Sequence, residues 1–164
     1  MIHLQDAIRQ LTANAEAIRA LVQTFSAEQA PWKPDPDTWS LKEVMEHLYN
    51  EERSDFRRHL KGMFGEPLPP REHIRVEDSL QALANFLAER EASIVWLAAL
   101  DSPDWEATTE LRFGPNKTFT LSAGDMLVSW VEHDILHMRQ LVELMHAWNE
   151  RQAAPYSVQY AGGW

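Results

Sequence analysis

The sequence predicts an all-α fold, a four-helix bundle built as one domain over residues 1–164. Three observations carry that prediction. Four long stretches repeat apolar residues at steps of three and four, two of them open on capping-box sequences, and the breaks between them are marked by proline and glycine. The length of 164 residues is one domain's worth, and 45% hydrophobic with 24% charged residues is an ordinary globular balance.

The first stretch runs from Leu4 to Phe25 through Leu4, Ile8, Leu11, Ala15, Ile18, Val22 and Phe25. Its alternating steps make a seam for packing nearly parallel to neighbouring helices. Pro31, Pro34 and Pro36 then forbid helix. The second helix starts at Ser40, whose hydroxyl and the Glu43 carboxylate form a capping box, and is expected to run to Lys61 and stop at Gly62. Gly65–Pro70 is a stiff, long connection that allows a crossover along the bundle. The third helix is expected over Glu77–Leu100, with Val76, Leu80, Leu83, Leu87, Ile94 and Leu97 on one stripe. Thr108–Phe113, a turn at Gly114–Lys117 and Thr118–Thr120 read as either a small hairpin or a loop. The fourth helix opens at Ser122-Ala123-Gly124-Asp125 and runs to about Arg151, leaving a short tail.

Composition excludes whole classes of chemistry. The chain has no cysteine, so any metal must be held by nitrogen and oxygen. Its formal net charge of −10 is the wrong sign for neutralising phosphates, so neither nucleic acid nor an anionic membrane is an expected partner. The longest unbroken apolar run, Ile94–Leu100, is far short of a span of about 20 residues. Met1–Asp6 has neither a basic nor an apolar leader segment, and the expected location is cytoplasmic.

Among the seven histidines, His133 and His137 stand four apart on the last helix, about 40° apart around its axis and about 6 Å along it. Two imidazoles at that spacing converge on one ion; the alternative is a pair of core-edge histidines bonded to carboxylates. Met126, Trp130, Leu144 and Trp148 share their face and turn both rings inward, where unpartnered polar groups are costly. His47, beside Val44 and Glu51 at the margin of the second helix, is a third candidate ligand. Three histidines without a fourth protein ligand leave an open coordination position, the arrangement of catalytic rather than structural sites.

Around this triad, Glu51 is a candidate proton carrier or a solvated flank charge, and Asp134 suits orientation or helix–helix contact. Trp39, Trp130 and Gln140 are candidate substrate-binding residues. For Trp130 and Trp148 the competing reading is core packing; for Trp39 it is a hydrophobic staple; Gln140 either orients a ligand or simply packs. Glu143 and His146 match half of a di-iron pattern, but no second copy exists and both point away from the triad face.

Trp39–Leu48, containing Trp39-Ser40-Leu41-Lys42-Glu43 and His47, resembles the second-helix motif of the DinB-like family of metal-binding four-helix bundles. His133-Asp134-Ile135-Leu136-His137-Met138-Arg139-Gln140 is similar to that family's last-helix motif, H-D-x-x-H-x-x-Q. Phe113-Gly114-Pro115 and the closing Tyr160–Trp164 also resemble family members. The resemblance implies an up-down-down-up bundle, often a homodimer, with a divalent transition metal ion (zinc or nickel, sometimes iron) on His47, His133 and His137. Many relatives carry a further histidine where this chain has Leu136. Activities in the family include hydrolases and transferases or isomerases that use low-molecular-weight thiols. The resulting expectation is a metal-dependent enzyme of the thiol-dependent transferase or hydrolase type acting on a small molecule. The competing expectation is a non-catalytic, dimeric, stress-associated metal-binding or interaction protein.

Overall fold

The computed structural model describes residues 3–68, 70–112 and 117–162. It is mostly helical, with one small antiparallel sheet among the described residues. Helix α1 spans Leu4–Val22, α2 Leu41–Ser54, α3 Phe56–Met63, α4 Ser79–Ala98 and α5 Ala123–Gln152. Strands β1 (Thr108–Arg112) and β2 (Thr118–Ser122) lie between α4 and α5, and a single 3₁₀ turn, Gln159–Ala161, closes the chain.

Both capping boxes form as the sequence predicts. Ser40 Oγ accepts from Glu43 N at 3.3 Å while the Glu43 carboxylate accepts from Ser40 N at 2.7 Å, and Ser122 and Asp125 repeat the pattern at the start of α5. The hairpin reading is the correct one: Thr108 pairs with Ser122 and Arg112 with Thr118. Ala123 N and Gly124 N then bond back to Ala107 O and Trp105 O, tying the hairpin to the first turn of α5. The expected turn at Gly114–Lys117 falls mostly outside the described residues, as does the Phe113-Gly114-Pro115 resemblance.

The expected second helix is two helices. The chain breaks at Asp55 (φ −120°, ψ −90°) with no proline or glycine there. Ser54 Oγ bonds back to Asn50 O at 2.8 Å, a contact that bends helices, and the bend turns Phe56 towards α5. Gly65, at φ +80°, ends α3 through Gly65 N–Gly62 O and Glu66 N–Lys61 O bonds. The connection that follows is strapped to α2 by side chains. Asn50 bonds both the N–H and the C=O of Ile74, and the Glu46 carboxylate accepts from Val76 N.

α1 ends at Val22 rather than Phe25, and α4 is shorter than Glu77–Leu100 because Asp78 caps it, accepting from Leu80 N and Gln81 N. The predicted α4 stripe is also rotated. Leu80 is 63% exposed, and the buried row is Ala82, Leu83, Phe86, Arg90, Ser93 and Leu97. α4 is apolar on more than one face, so several stripes compete, and packing selects the one that carries Arg90 inward.

The core has two halves. One gathers Ile18, Val22, Met45, Leu48, Phe86 and Leu141; the other gathers Leu11, Leu60, Leu97, Leu127 and Trp130. On α1, α2, α4 and α5 the residue lying between the halves is polar and buried: Asn14, Glu52, Arg90 and Asp134. No helix among the described residues is long and apolar enough to cross a membrane.

Candidate metal centre

The capping box at Ser40 fixes where α2 begins and so places His47 in its second turn, facing α5. There His47 Nε2 stands 3.1 Å from His133 Nε2, which is 3.2 Å from His137 Nε2. The three ligand atoms all lie within 4.8 Å of one another. Nitrogens bound at 2.0–2.1 Å to one ion, at tetrahedral or octahedral angles, stand about 2.9–3.4 Å apart, so the residues fit a metal.

Proton arithmetic points the same way. A neutral imidazole carries one N–H and one lone pair. Gln140 Oε1 lies 2.9 Å from His137 Nδ1 and accepts its proton, which leaves the His137 Nε2 lone pair turned towards the other rings. His133 Nε2 then faces two nitrogens with at most one proton to share between them. Burial drives the His47 imidazole down to about 4 and His133 to about 3, with the neighbouring imidazoles adding to both shifts. Burial also lowers His137, against the opposing hydrogen bond from Gln140. All three are neutral at pH 7, the form that binds metal.

His133, alone of the triad, lines a cavity of about 1020 Å³, together with Glu51, Asp55, Phe56 and Leu136 and with Leu111 and Arg112 of the hairpin. Within it, burial and the nearby Asp55 charge raise the Glu51 carboxyl to about 7, against the pull of Arg71. Asp55 is half-buried too, but the His59 hydrogen bond and the charges of His59 and Arg71 outweigh the cost of burial and hold it below the usual range. Trp39, 39% exposed, sets its ring edge-on to His47 at 5.0 Å and stacked on His137 at 6.2 Å. Trp39 and Gln140 therefore both touch the triad, and neither lines the cavity.

Trp130 takes the packing half of its two sequence readings. It is 1% exposed, stacks on Phe56 at 5.9 Å and donates its indole N–H to Glu52 at 2.8 Å, so it supports the site from beneath and offers no surface to a ligand. Phe56 in turn lies 5.0 Å from the His133 ring. Trp148 sits edge-on to Trp32 at 5.2 Å, in a separate cluster with Arg151. Glu143 pairs with Arg139 at 3.3 Å and stands outside the triad.

Asp134 makes the helix–helix contact foreseen for it, with partners the sequence did not suggest. Arg90 Nη1 and Nη2 donate to its two oxygens at 2.7 and 2.9 Å. The same guanidinium grips Glu52 through Nε and Nη2, both at 2.8 Å, and gives its remaining N–H to Leu11 O at 2.9 Å. Asn14 adds a bond to Asp134 at 3.3 Å. Burial pushes the Asp134 carboxyl up and Arg90 pulls it back, while the two carboxylates keep Arg90 protonated.

Comparison with known proteins comes down on one side. The family model of the DinB superfamily matches residues 10–141. A solved structure described as the conserved protein of locus from Enterococcus faecalis is similar in fold, with a TM-score of 0.66 at 15% identity, covering 90% of this chain and 97% of that one. No curated protein matches the chain.

Proposed function

The chain belongs to the DinB superfamily, and from that premise we propose that it is a metal-dependent enzyme acting on a small molecule, of the thiol-dependent transferase or hydrolase type. The observation that carries this reading is the convergence of three Nε2 atoms, 3.1 and 3.2 Å apart, one of which belongs to a histidine on the wall of a cavity of about 1020 Å³. His47, His133 and His137 would hold a divalent ion, with zinc and nickel as first candidates and iron as the third. Such an ion supplies Lewis acidity and lowers the pKa of a thiol or water bound to it.

The chain's own residues supply the rest. Gln140 fixes the His137 tautomer. Glu51, raised to about 7, takes or delivers a proton near neutral pH on the cavity wall. Trp39 packs its ring against His47 and His137, the two ligands that do not line the cavity. Leu136, where many relatives have histidine, gives the cavity an apolar border. The assembly proposed is an up-down-down-up bundle. Its support is the order of the two core halves: the first halves of α1 and α5 share one, and the first halves of α2 and α4 share the other. A homodimer in the cytoplasm completes the reading.

The test starts with elemental analysis of tag-free protein purified without added metal, beside His47→Ala/His137→Ala. The expected result is close to one equivalent of a transition metal in the parent and none in the variant. Thiol conjugation and ester or amide hydrolysis are then assayed with metal-free protein as control. Activity that survives metal removal overturns the enzyme reading; metal binding with no activity in either assay favours the non-catalytic role.

A further inference from the structure

The metal ligands come from two helices that pack narrowly on each other: α2 lies mainly on α4, and α5 mainly on α1. Apolar contact alone therefore does little to set the distance from His47 to His133 and His137. At the same level, two carboxylates belonging to those two helices are buried: Glu52, five residues after His47, and Asp134, next to His133. Unbridged, they would repel each other and push α2 from α5. Arg90, from α4, is 2% exposed and uses every one of its N–H groups, two on Glu52, two on Asp134 and one on Leu11 O.

We propose that Arg90 is a positioning residue for the metal site: its guanidinium clamps Glu52 of α2 to Asp134 of α5 and so fixes the separation of His47 from the His133–His137 pair before any ion arrives. The inference rests on the metal reading above. The planar fork matters here, because a bidentate grip on each of two carboxylates sets distance and angle together, which a point charge does not. Trp130 reinforces the clamp from α5 by donating to the same Glu52 oxygen that Arg90 Nη2 holds. All five Arg90 N–H groups go to oxygens and none to a histidine, so Arg90 acts on the ion without touching its ligands, through helix placement and through the positive charge it sets near His133.

The experiment loads metal-free parent, Arg90→Lys and the neutralised triple variant Glu52→Gln/Arg90→Met/Asp134→Asn with cobalt(II) and with zinc. Helicity by circular dichroism shows which variants fold. The triple variant removes the guanidinium and both buried charges together, so it tests the clamp without an orphaned carboxylate even if Arg90→Lys fails. The expected result is zinc affinity about 10- to 100-fold weaker in the folded variants, with a changed cobalt(II) d–d spectrum reporting altered ligand geometry. A purely structural role would leave the spectrum of the folded variant unmoved. Zinc affinity and a cobalt(II) spectrum equal to the parent's overturn the positioning role while leaving the metal site intact. A parent that binds neither ion overturns the metal reading, and the inference with it.

Discussion

Two polar clusters lie side by side, one fully buried and one half-buried, and they are satisfied in different ways. In the Arg90 cluster every guanidinium N–H has an oxygen, Trp130 and Asn14 add second bonds to carboxylate oxygens that Arg90 already holds, and no buried side-chain nitrogen or oxygen among the described residues lacks a partner. In the histidine cluster three Nε2 atoms face one another with fewer protons than contacts. The first is closed by the chain itself. The second is closed only by something that accepts lone pairs, which is why one reads as framework and the other as a binding site. The difference also predicts opposite responses to mutation: a closed cluster suffers from losing a member, and an open one does not.

The largest effect follows from breaking the closed cluster on one side. Arg90→Met, made alone, leaves Glu52 and Asp134 buried without a counter-charge, and the expected loss is about 3–5 kcal/mol of unfolding free energy. Urea denaturation of metal-free protein measures it. A loss below about 1 kcal/mol would mean that the two clusters do not differ in the way described.

His137→Ala is the matching change in the open cluster. It should abolish binding of one equivalent of zinc while the metal-free variant unfolds within about 1 kcal/mol of the parent, because removing one of three crowded lone pairs relieves as much as it costs. Calorimetric titration and urea denaturation together check both halves. Unchanged zinc occupancy would remove His137 from the site.

The clusters were not equally legible in the sequence. The histidine site was readable because helical spacing alone brings His133 and His137 together and a capping box fixes the phase of His47 on α2. Arg90 leaves only an indirect signal. The predicted α4 stripe steps from Leu87 to Ile94 and skips position 90, and Arg90 fills the missing step. Glu52 likewise continues the row Val44, Leu48, Glu52, Phe56 at four-residue steps. A charged residue in a core row is a pointer to a buried partner, but only the folded chain reveals which one. The break at Asp55 had no such pointer, since Ser54 acts through a back-bond that many serines in helices never make. Nor did the rotation of α4, because an element apolar on several faces leaves the choice to its neighbours.

pH sharpens the comparison further. His47 and His133 fall from the ordinary 6.5 to about 4 and about 3 in the folded chain, so between those values the unfolded state binds more protons. Stability contributed by the neutral imidazoles is therefore full above about pH 6.5 and is lost as pH falls through the folded values. Glu51 has the opposite sign. Raised from 4.5 to about 7, it contributes stability below pH 4.5 that fades as pH rises through 7. In the window from pH 7 down to 5 the imidazoles, being more numerous, should win, and the urea midpoint of metal-free protein should drop. Glu51→Gln should make that drop steeper, and His47→Ala/His133→Ala should flatten or reverse it. A midpoint independent of pH in the parent would contradict neutral, buried imidazoles.

The smallest effect belongs to the residue that prepares the open cluster for its ligand. Gln140 Oε1 holds the proton of His137 on Nδ1, and without it the Nε2 tautomer is free to form and occupy the lone pair a metal needs. Gln140→Ala should weaken zinc binding about tenfold, at the low end for residues that orient a metal-bound histidine. Gln140→Glu, which keeps an acceptor at the same reach and adds a negative charge, should restore the affinity or exceed it. Both variants should unfold like the parent when metal-free, since Gln140 is half-buried and its bond to His137 lies within one helix. Equal zinc affinity in parent, Gln140→Ala and Gln140→Glu would mean that the triad selects its own tautomers, and the open cluster would then owe its geometry to helix placement alone.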